Sequence, residues 1–222
     1  MGLSNLHILA QVTIYVLTLI FSVFVAAPII VNLTEFNGQC LLYAEGNWSS
    51  NSSDWQLTVH TWGSNAACNF PVFVGIVSLT YSLLYIFLYS VHLYNVTEPS
   101  WLIAFVNLFW NSMLTVMTLI AACVTTYGYN KWCELLSIRY RCDTAEFVPF
   151  DEKQGIDTSH FNLQFGMAQF GLWTLLISWI LEVILSSYQM FRFSKHESFF
   201  ISIQREQARL LGKMVTQNDP AV

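Results

Sequence analysis

Four long stretches of this chain are almost free of charge, and this restricts its fold more than any other feature of the sequence. Leu6–Val31, Pro71–Tyr94 and Trp101–Tyr129 contain no Asp, Glu, Lys or Arg, and Phe161–Phe191 contains only Glu182. A hydrocarbon core about 30 Å thick is crossed by roughly 20 apolar residues in a helix, so each run is long enough to cross alone. Lipid offers no water to hydrogen-bond an exposed backbone, which forces each run to be helical. The sequence therefore predicts an all-α membrane protein, a four-helix transmembrane bundle with spans at 6–31, 71–94, 101–129 and 161–191. Loops fill 32–70 and 130–160, and a tail covers 192–222. Composition agrees, since 10% of the 222 residues are charged, against about 25% in soluble proteins. The first run could instead be a secretory signal peptide, with Val25 and Ala27 as a small-residue cleavage site. Its length, the lack of Lys or Arg before it and Pro28 just beyond the cut favour a retained helix.

Cysteines and sequons orient the spans better than charge does. The tail holds Arg192, Lys195, Arg205, Arg209 and Lys213, which places it in the cytosol, although Lys131, Arg139, Arg141 and Lys153 lie on the other side. Cys40 and Cys68 fall in the first long loop, Cys133 and Cys142 in the second. Four spans put both loops on one side, and paired thiols there suit an oxidising compartment. Four cysteines allow three pairings. Cys40–Cys68 with Cys133–Cys142 is preferred because each closes within one segment, and pairing across the loops is the alternative. Cys123, near the outer end of the third span, is expected to be a small buried side chain. The sequons at Asn32, Asn47 and Asn51 share the first loop. Asn47 and Asn51 are the expected glycosylation sites, since Asn32 sits too close to the membrane. A sequon at Asn95 would be cytosolic and unused. Both termini are then cytosolic, in a plasma membrane or endomembrane protein.

Trp55, Leu57, Val59 and Thr61 alternate with polar partners at the two-residue period of a half-buried strand. Leu41-Leu42-Tyr43 could pair with that strand across Gly46–Asp54, giving a small disulfide-stapled extracellular β-sheet and an architecture that resembles claudins. A closer resemblance lies in Gly38–Trp48, in Trp62–Phe70 leading directly into the second span, in Lys131-Trp132-Cys133 with the later Cys142, and most specifically in Phe161–Trp173. These segments resemble the transmembrane protein 179 family, in order and in matching places relative to the helices, over residues 36–175. The resemblance implies a four-pass protein whose molecular activity is poorly defined.

Inside the bilayer Glu182 stands out, because an ionisable group in a span is costly and by default marks a function or a buried partner. At 1.5 Å per residue it lies about 11 Å from the cytosolic end, with Asn107 about 9 Å and Gln11 about 8 Å in. Tyr85 and Tyr89 fall in the same range, so one polar group from each helix could meet in a single layer. Lacking an intramembrane Lys or Arg, Glu182 is expected to be protonated or hydrogen-bonded to Asn107. Asn107, Asn111, Thr115 and Thr118 step along one face of the third helix. Such a stripe usually packs against neighbouring helices, although it could line a pore.

In the tail Phe199, Phe200, Ile203, Leu210, Leu211 and Met214 recur near helical spacing, with Arg205, Arg209 and Lys213 at every fourth residue. This predicts an amphipathic helix, on the inner leaflet or docked on a partner or on the bundle. The five histidines form no metal-ligand spacing, and there is no phosphate loop or nucleophile elbow. Asp151 and Glu152 read as a solvated edge. No catalytic, cofactor-binding or metal residues are expected, and nucleic acid is not a partner. The expected function is that of a non-catalytic accessory or structural subunit in contact with lipid and with another membrane protein or larger complex. The alternative is a small transporter or oligomeric channel using Glu182 and the Asn107/Asn111 stripe.

Overall fold

A computed structural model of the chain describes residues 3–51, 54–95, 101–142, 144 and 160–217. The element order is α1 Leu3–Glu35, β1 Cys40–Asn51, β2 Asp54–Gly63, α2 Asn65–Asn95, α3 Trp101–Ser137 and α4 Phe161–Gln217. All four helices are long and apolar enough to cross a membrane. They close into a ring in which α1 packs on α2 and α4, and α3 packs on α4 and, less closely, on α2. The large side chains turned away from the ring, such as Phe87, Phe109 and Phe170, are apolar and exposed. That inversion of the soluble pattern is what a lipid solvent requires, since nothing is gained by hiding hydrocarbon from hydrocarbon.

Every helix continues beyond its predicted span. α1 runs through Pro28 to Glu35; a proline is tolerated where neighbouring helices support the freed carbonyl. α2 starts at Asn65, where Ser64 caps it by accepting the Ala66 N–H on Oγ at 3.3 Å. Cys68 therefore lies in the first turns of α2, not in a loop. α3 extends two turns past Tyr129 and carries Cys133 on its protruding end. α4 has 57 residues, about 85 Å of helix at 1.5 Å per residue. The boundary at Phe191/Arg192 is thus no break in secondary structure, because no proline or glycine interrupts the backbone there. The Lys195 ammonium sits 4.6 Å from the Phe191 ring, and the amphipathic side chains expected beyond it lie outside the described residues. So do Asp151 and Glu152 and the side chains of Asn51 and Asn95.

At one end of the ring β1 and β2 form an antiparallel hairpin. Its pairing differs from expectation. Gly46–Asn51 is not the connection but part of β1, paired from Gly46 with Val59 to Asn51 with Asp54. The irregular part is Leu41–Ala44, four residues that face the single Trp62 between the Cys40–Gly63 and Glu45–Thr61 pairs. A second slip leaves His60 unpaired, so the two-residue alternation changes face. Leu57 is buried, Thr61 is exposed, and Trp62 packs edge-on against Phe36 with ring centroids 6.1 Å apart. Gly63 makes the bulge possible, because a Cβ there would stand 1.6 Å from the Leu42 carbonyl oxygen. Two disulfides staple this end, Cys40–Cys68 and Cys133–Cys142. The thiol of Cys123 is free and exposed, not buried as expected. Two residues beyond Ala121, it falls on the opposite face of α3 from the buried Ala121, Ala122 and Thr125.

Candidate functional site

Among the described residues, two places bring several chemistry-bearing side chains together. The first is a buried layer inside the ring. Polar residues recur at three- and four-residue steps on the inner face of every helix: Gln11, Tyr15, Thr18 and Ser22 on α1, and Ser78 and Ser82 on α2. The same holds for Asn107, Asn111 and Thr118 on α3, and for Ser178, Glu182, Ser186 and Gln189 on α4. Asn107 is the hub. Its Oδ1 accepts from the Tyr15 hydroxyl at 2.8 Å and the Tyr81 hydroxyl at 3.0 Å. Its Nδ2 donates to the Tyr89 oxygen at 3.0 Å and to Ser186 Oγ at 3.2 Å. Asn111 Nδ2 donates to Ser186 Oγ at 3.0 Å and to the Tyr15 oxygen at 3.1 Å. One amide side chain thereby ties all four helices together.

An aromatic stack closes round this hub. Tyr15 lies against Tyr85 and Tyr89, with centroids at 5.5 and 6.0 Å. Trp179 meets Tyr15 and Tyr81 edge-on at 6.3 and 5.8 Å. These separations and tilts suit aromatic quadrupoles.

Glu182 lies in this layer, fully buried, and neither carboxyl oxygen accepts a close hydrogen bond, the Tyr15 hydroxyl beside it donating to Asn107 instead. The expected bond to Asn107 is absent, because both ends of that amide are already occupied by tyrosines and Ser186. Gln11 meets the hub at its margin, through a side-chain hydrogen bond to the Tyr89 hydroxyl. Its Nε2 reaches Gln189 Oε1 at 3.4 Å, one step nearer the tail end of the bundle. Of the α3 stripe, Asn107, Asn111 and Thr118 are buried and Thr115 is half-buried. Sequence reasoning passed over Tyr15, Tyr81, Trp179 and Ser186. Their signal was present as spacing, since Tyr15 follows Gln11 by four residues, Tyr81 precedes Tyr85 by four, and Trp179 and Ser186 bracket Glu182.

The second place is on the hairpin end. The Leu41–Ala44 bulge leans on α3, where Tyr43 donates to the Val124 carbonyl at 3.1 Å and Trp48 Nε1 donates to the Leu135 carbonyl at 3.0 Å. Gly128 admits this approach, as a Cβ there would lie 2.7 Å from the Tyr43 ring. Tyr43 has φ of +65°, a left-handed conformation costing of order 1–3 kcal/mol for a side chain of this size. Burial, and then the neighbouring Tyr127 phenol, hold the Tyr43 hydroxyl above its ordinary pKa, so it stays a donor. Between the bulge and α3 lies a cleft of about 540 Å³, lined among others by Tyr43, Glu45, Tyr127, Lys131, Glu134 and Ile138. Tyr127 and Ile138 stand 59% and 64% exposed beside it. Lys131 and Glu134 pair along its α3 wall at 2.7 Å, an exposed contact that solvent screens.

Of the expected glycosylation sites, Asn47 is exposed on β1. Asn32, excluded from the sequence for its closeness to the membrane, is buried and donates to Gln164 Oε1 at 2.8 Å, while Gln164 donates on to Glu35 at 2.7 Å. Among the described residues no cluster of His, Cys, Asp and Glu could hold a metal ion.

No solved structure is significantly similar to this chain. Over residues 7–211 it matches the family model described as the Transmembrane protein 179/179B Claudin domain, which agrees with the four spans, the hairpin and the Cys40–Cys68 bridge. A match covering nearly the whole chain places this integral multi-pass membrane protein in the transmembrane protein 179/179B claudin-domain family.

Proposed function

We propose that this protein is a non-catalytic accessory component of a larger membrane assembly, engaging its partner through the hairpin end of the bundle. The observation that carries this reading is the cleft between the Tyr43 bulge and α3. Two disulfides and two long-range hydrogen bonds hold its walls in place before any partner arrives, and a preorganised surface loses little entropy on binding. Exposed tyrosine and isoleucine beside polar groups is the mixture that anchors interfaces. The alternative of a transporter or channel receives less support. Asn107 and Asn111 use their amides to join helices, and Val25, Ile29, Ala121 and Leu172 separate this layer from the buried Asn32–Gln164 pair nearer the hairpin.

The test is native purification of the tagged full-length chain in a mild detergent. Wild type should elute as a larger complex, and Tyr127→Ala combined with Ile138→Ser should release it while leaving its own melting temperature unchanged. A wild-type protein that runs alone, or a complex indifferent to the double variant, contradicts the reading.

In this orientation the hairpin faces the oxidising side and both termini face the cytosol. Asn47→Gln is then expected to remove one glycan, seen as a mobility shift. Thr34→Ala, which destroys the Asn32 sequon but spares the Asn32–Gln164 bond, should change nothing. Glycan on Asn95, or on Asn32, would contradict this arrangement.

A further inference from the structure

One carboxyl group in the bundle is treated unlike the amides of Asn107 and Asn111 beside it. Both Glu182 oxygens are buried and accept no close hydrogen bond, although the Tyr15 hydroxyl stands near enough to interact with them, while the neutral Asn107 Oδ1 accepts two hydroxyl protons. A carboxylate is the stronger acceptor, forming hydrogen bonds roughly twice as strong as neutral ones. The Tyr15, Tyr81 and Tyr89 hydroxyls all lie within electrostatic reach of it. Donors that serve an amide in preference to a neighbouring carboxyl group are what a neutral acid would leave in place. No counter-charge competes. From α1 the facing titratable group is Tyr15, from α2 they are Tyr81, Tyr85 and Tyr89, α3 offers only the amides of Asn107 and Asn111, and on α4 itself stand Trp179 and Ser186. All are neutral. An isolated charge in such a place is costly, so a bound cation is strongly favoured over the bare carboxylate.

The surroundings also say from which end that cation comes. Between α1 and α4 a polar seam runs from the tail end of the spans to the layer: His7 contacts the Leu185 carbonyl at 3.2 Å, and Gln11 donates to Gln189 at 3.4 Å. Gln11 Oε1 is buried and has no partner. Toward the hairpin end the interior closes with Val25, Ile29, Ala121 and Leu172. We propose that Glu182 is a proton-binding site within the membrane, loaded and unloaded along the α1–α4 seam from the end of the bundle that bears the tail. A proton converts the carboxylate to the acid and needs neither a coordination shell nor a co-reactant. This inference is independent of the partner cleft.

Infrared difference spectroscopy on the full-length protein in lipid vesicles tests it, compared with E182Q between about pH 5 and pH 9. Wild type should show the C=O stretch of a protonated carboxylic acid that shifts in D2O, disappears reversibly as pH rises, and is missing from E182Q. Glu182→Asp should retain the band at a displaced frequency, which secures the assignment even if the Gln variant packs poorly. Gln11→Leu should slow the D2O shift roughly tenfold by removing one polar step of the seam. The proposal is overturned by the absence of the band in wild type, by a band that neither exchanges nor titrates, or by loss of the band on adding sodium or potassium at constant pH. An unchanged exchange rate in Gln11→Leu overturns the route.

Discussion

Replacing Gly63 by valine is expected to cost about 4 kcal/mol, the upper end of what single substitutions do. The Cβ of any other residue at this position would lie 1.6 Å from the Leu42 carbonyl oxygen and 3.2 Å from that of Cys40. Both obstacles are backbone, so no side chain can turn aside to make room. The strand must retreat from the bulge, and with it go the Cys40–Gly63 pair and the buried Leu41 and Leu42. Cys40 then loses its alignment with Cys68, which a disulfide tolerates poorly. The expected readouts are a lower melting temperature in detergent and a larger fraction of alkylatable Cys40 and Cys68. Gly166→Ala is the matching control. Its methyl meets nothing within 4 Å, and alanine should be neutral or stabilise the helix by up to about 1 kcal/mol. A Gly63→Val protein as stable as wild type would show that the bulge is not built as described.

Asn107→Leu is expected to remove about 2–4 kcal/mol, the second largest loss. Leucine preserves shape but supplies no donor or acceptor, so four hydrogen bonds to Tyr15, Tyr81, Tyr89 and Ser186 vanish together. Individual side-chain hydrogen bonds in membrane proteins average about 0.6 kcal/mol and reach about 1.7. Four sharing one hub explain the sum. Here the tyrosine hydroxyls cannot turn to water, which raises the cost of leaving them unpaired. Asn111→Leu, which breaks the amide nitrogen's bonds to Ser186 and Tyr15 and the Tyr15 hydroxyl's bond to Oδ1, should cost about 1–2 kcal/mol on the same scale. A double-mutant cycle of Asn107→Leu with Tyr15→Phe isolates their shared bond. Strict additivity in that cycle would contradict the hub. Thermal unfolding in lipid-like detergent, followed by tryptophan fluorescence, reads all of these.

The partner cleft and the proton site lie at different depths and answer to different variants. Tyr127 and Ile138 lie on the hairpin-end half of α3 and line the cleft, whereas Glu182 and Gln11 are buried within the ring. Loss of complex formation with an intact carboxylic acid band, or the reverse, would separate the two cleanly.

The spans were legible in the sequence because a lipid solvent imposes a one-dimensional rule: an uncharged run of sufficient length has one way to satisfy its backbone. Local rules likewise marked the strand at Leu57 and Val59 and the intramembrane carboxyl group at Glu182. What no local rule contains is which face of each helix turns inward. In lipid a small apolar side chain suits either face, so Cys123 read from the sequence as a buried thiol although α3 turns it outward. The same ambiguity hid Tyr15, Tyr81 and Ser186, whose places at the hub depend on three other helices. Pairing the hairpin through a four-residue bulge, not through Leu41-Leu42-Tyr43, was decided by the space that Gly63 and Gly128 leave beside Leu42 and Tyr43. Leaving Glu182 without a close hydrogen bond was decided by Asn107, seventy-five residues away in the chain, which draws the nearby hydroxyls to itself. Sequence fixes what each segment can be in lipid; competition among groups brought together only by packing decides which of them find partners.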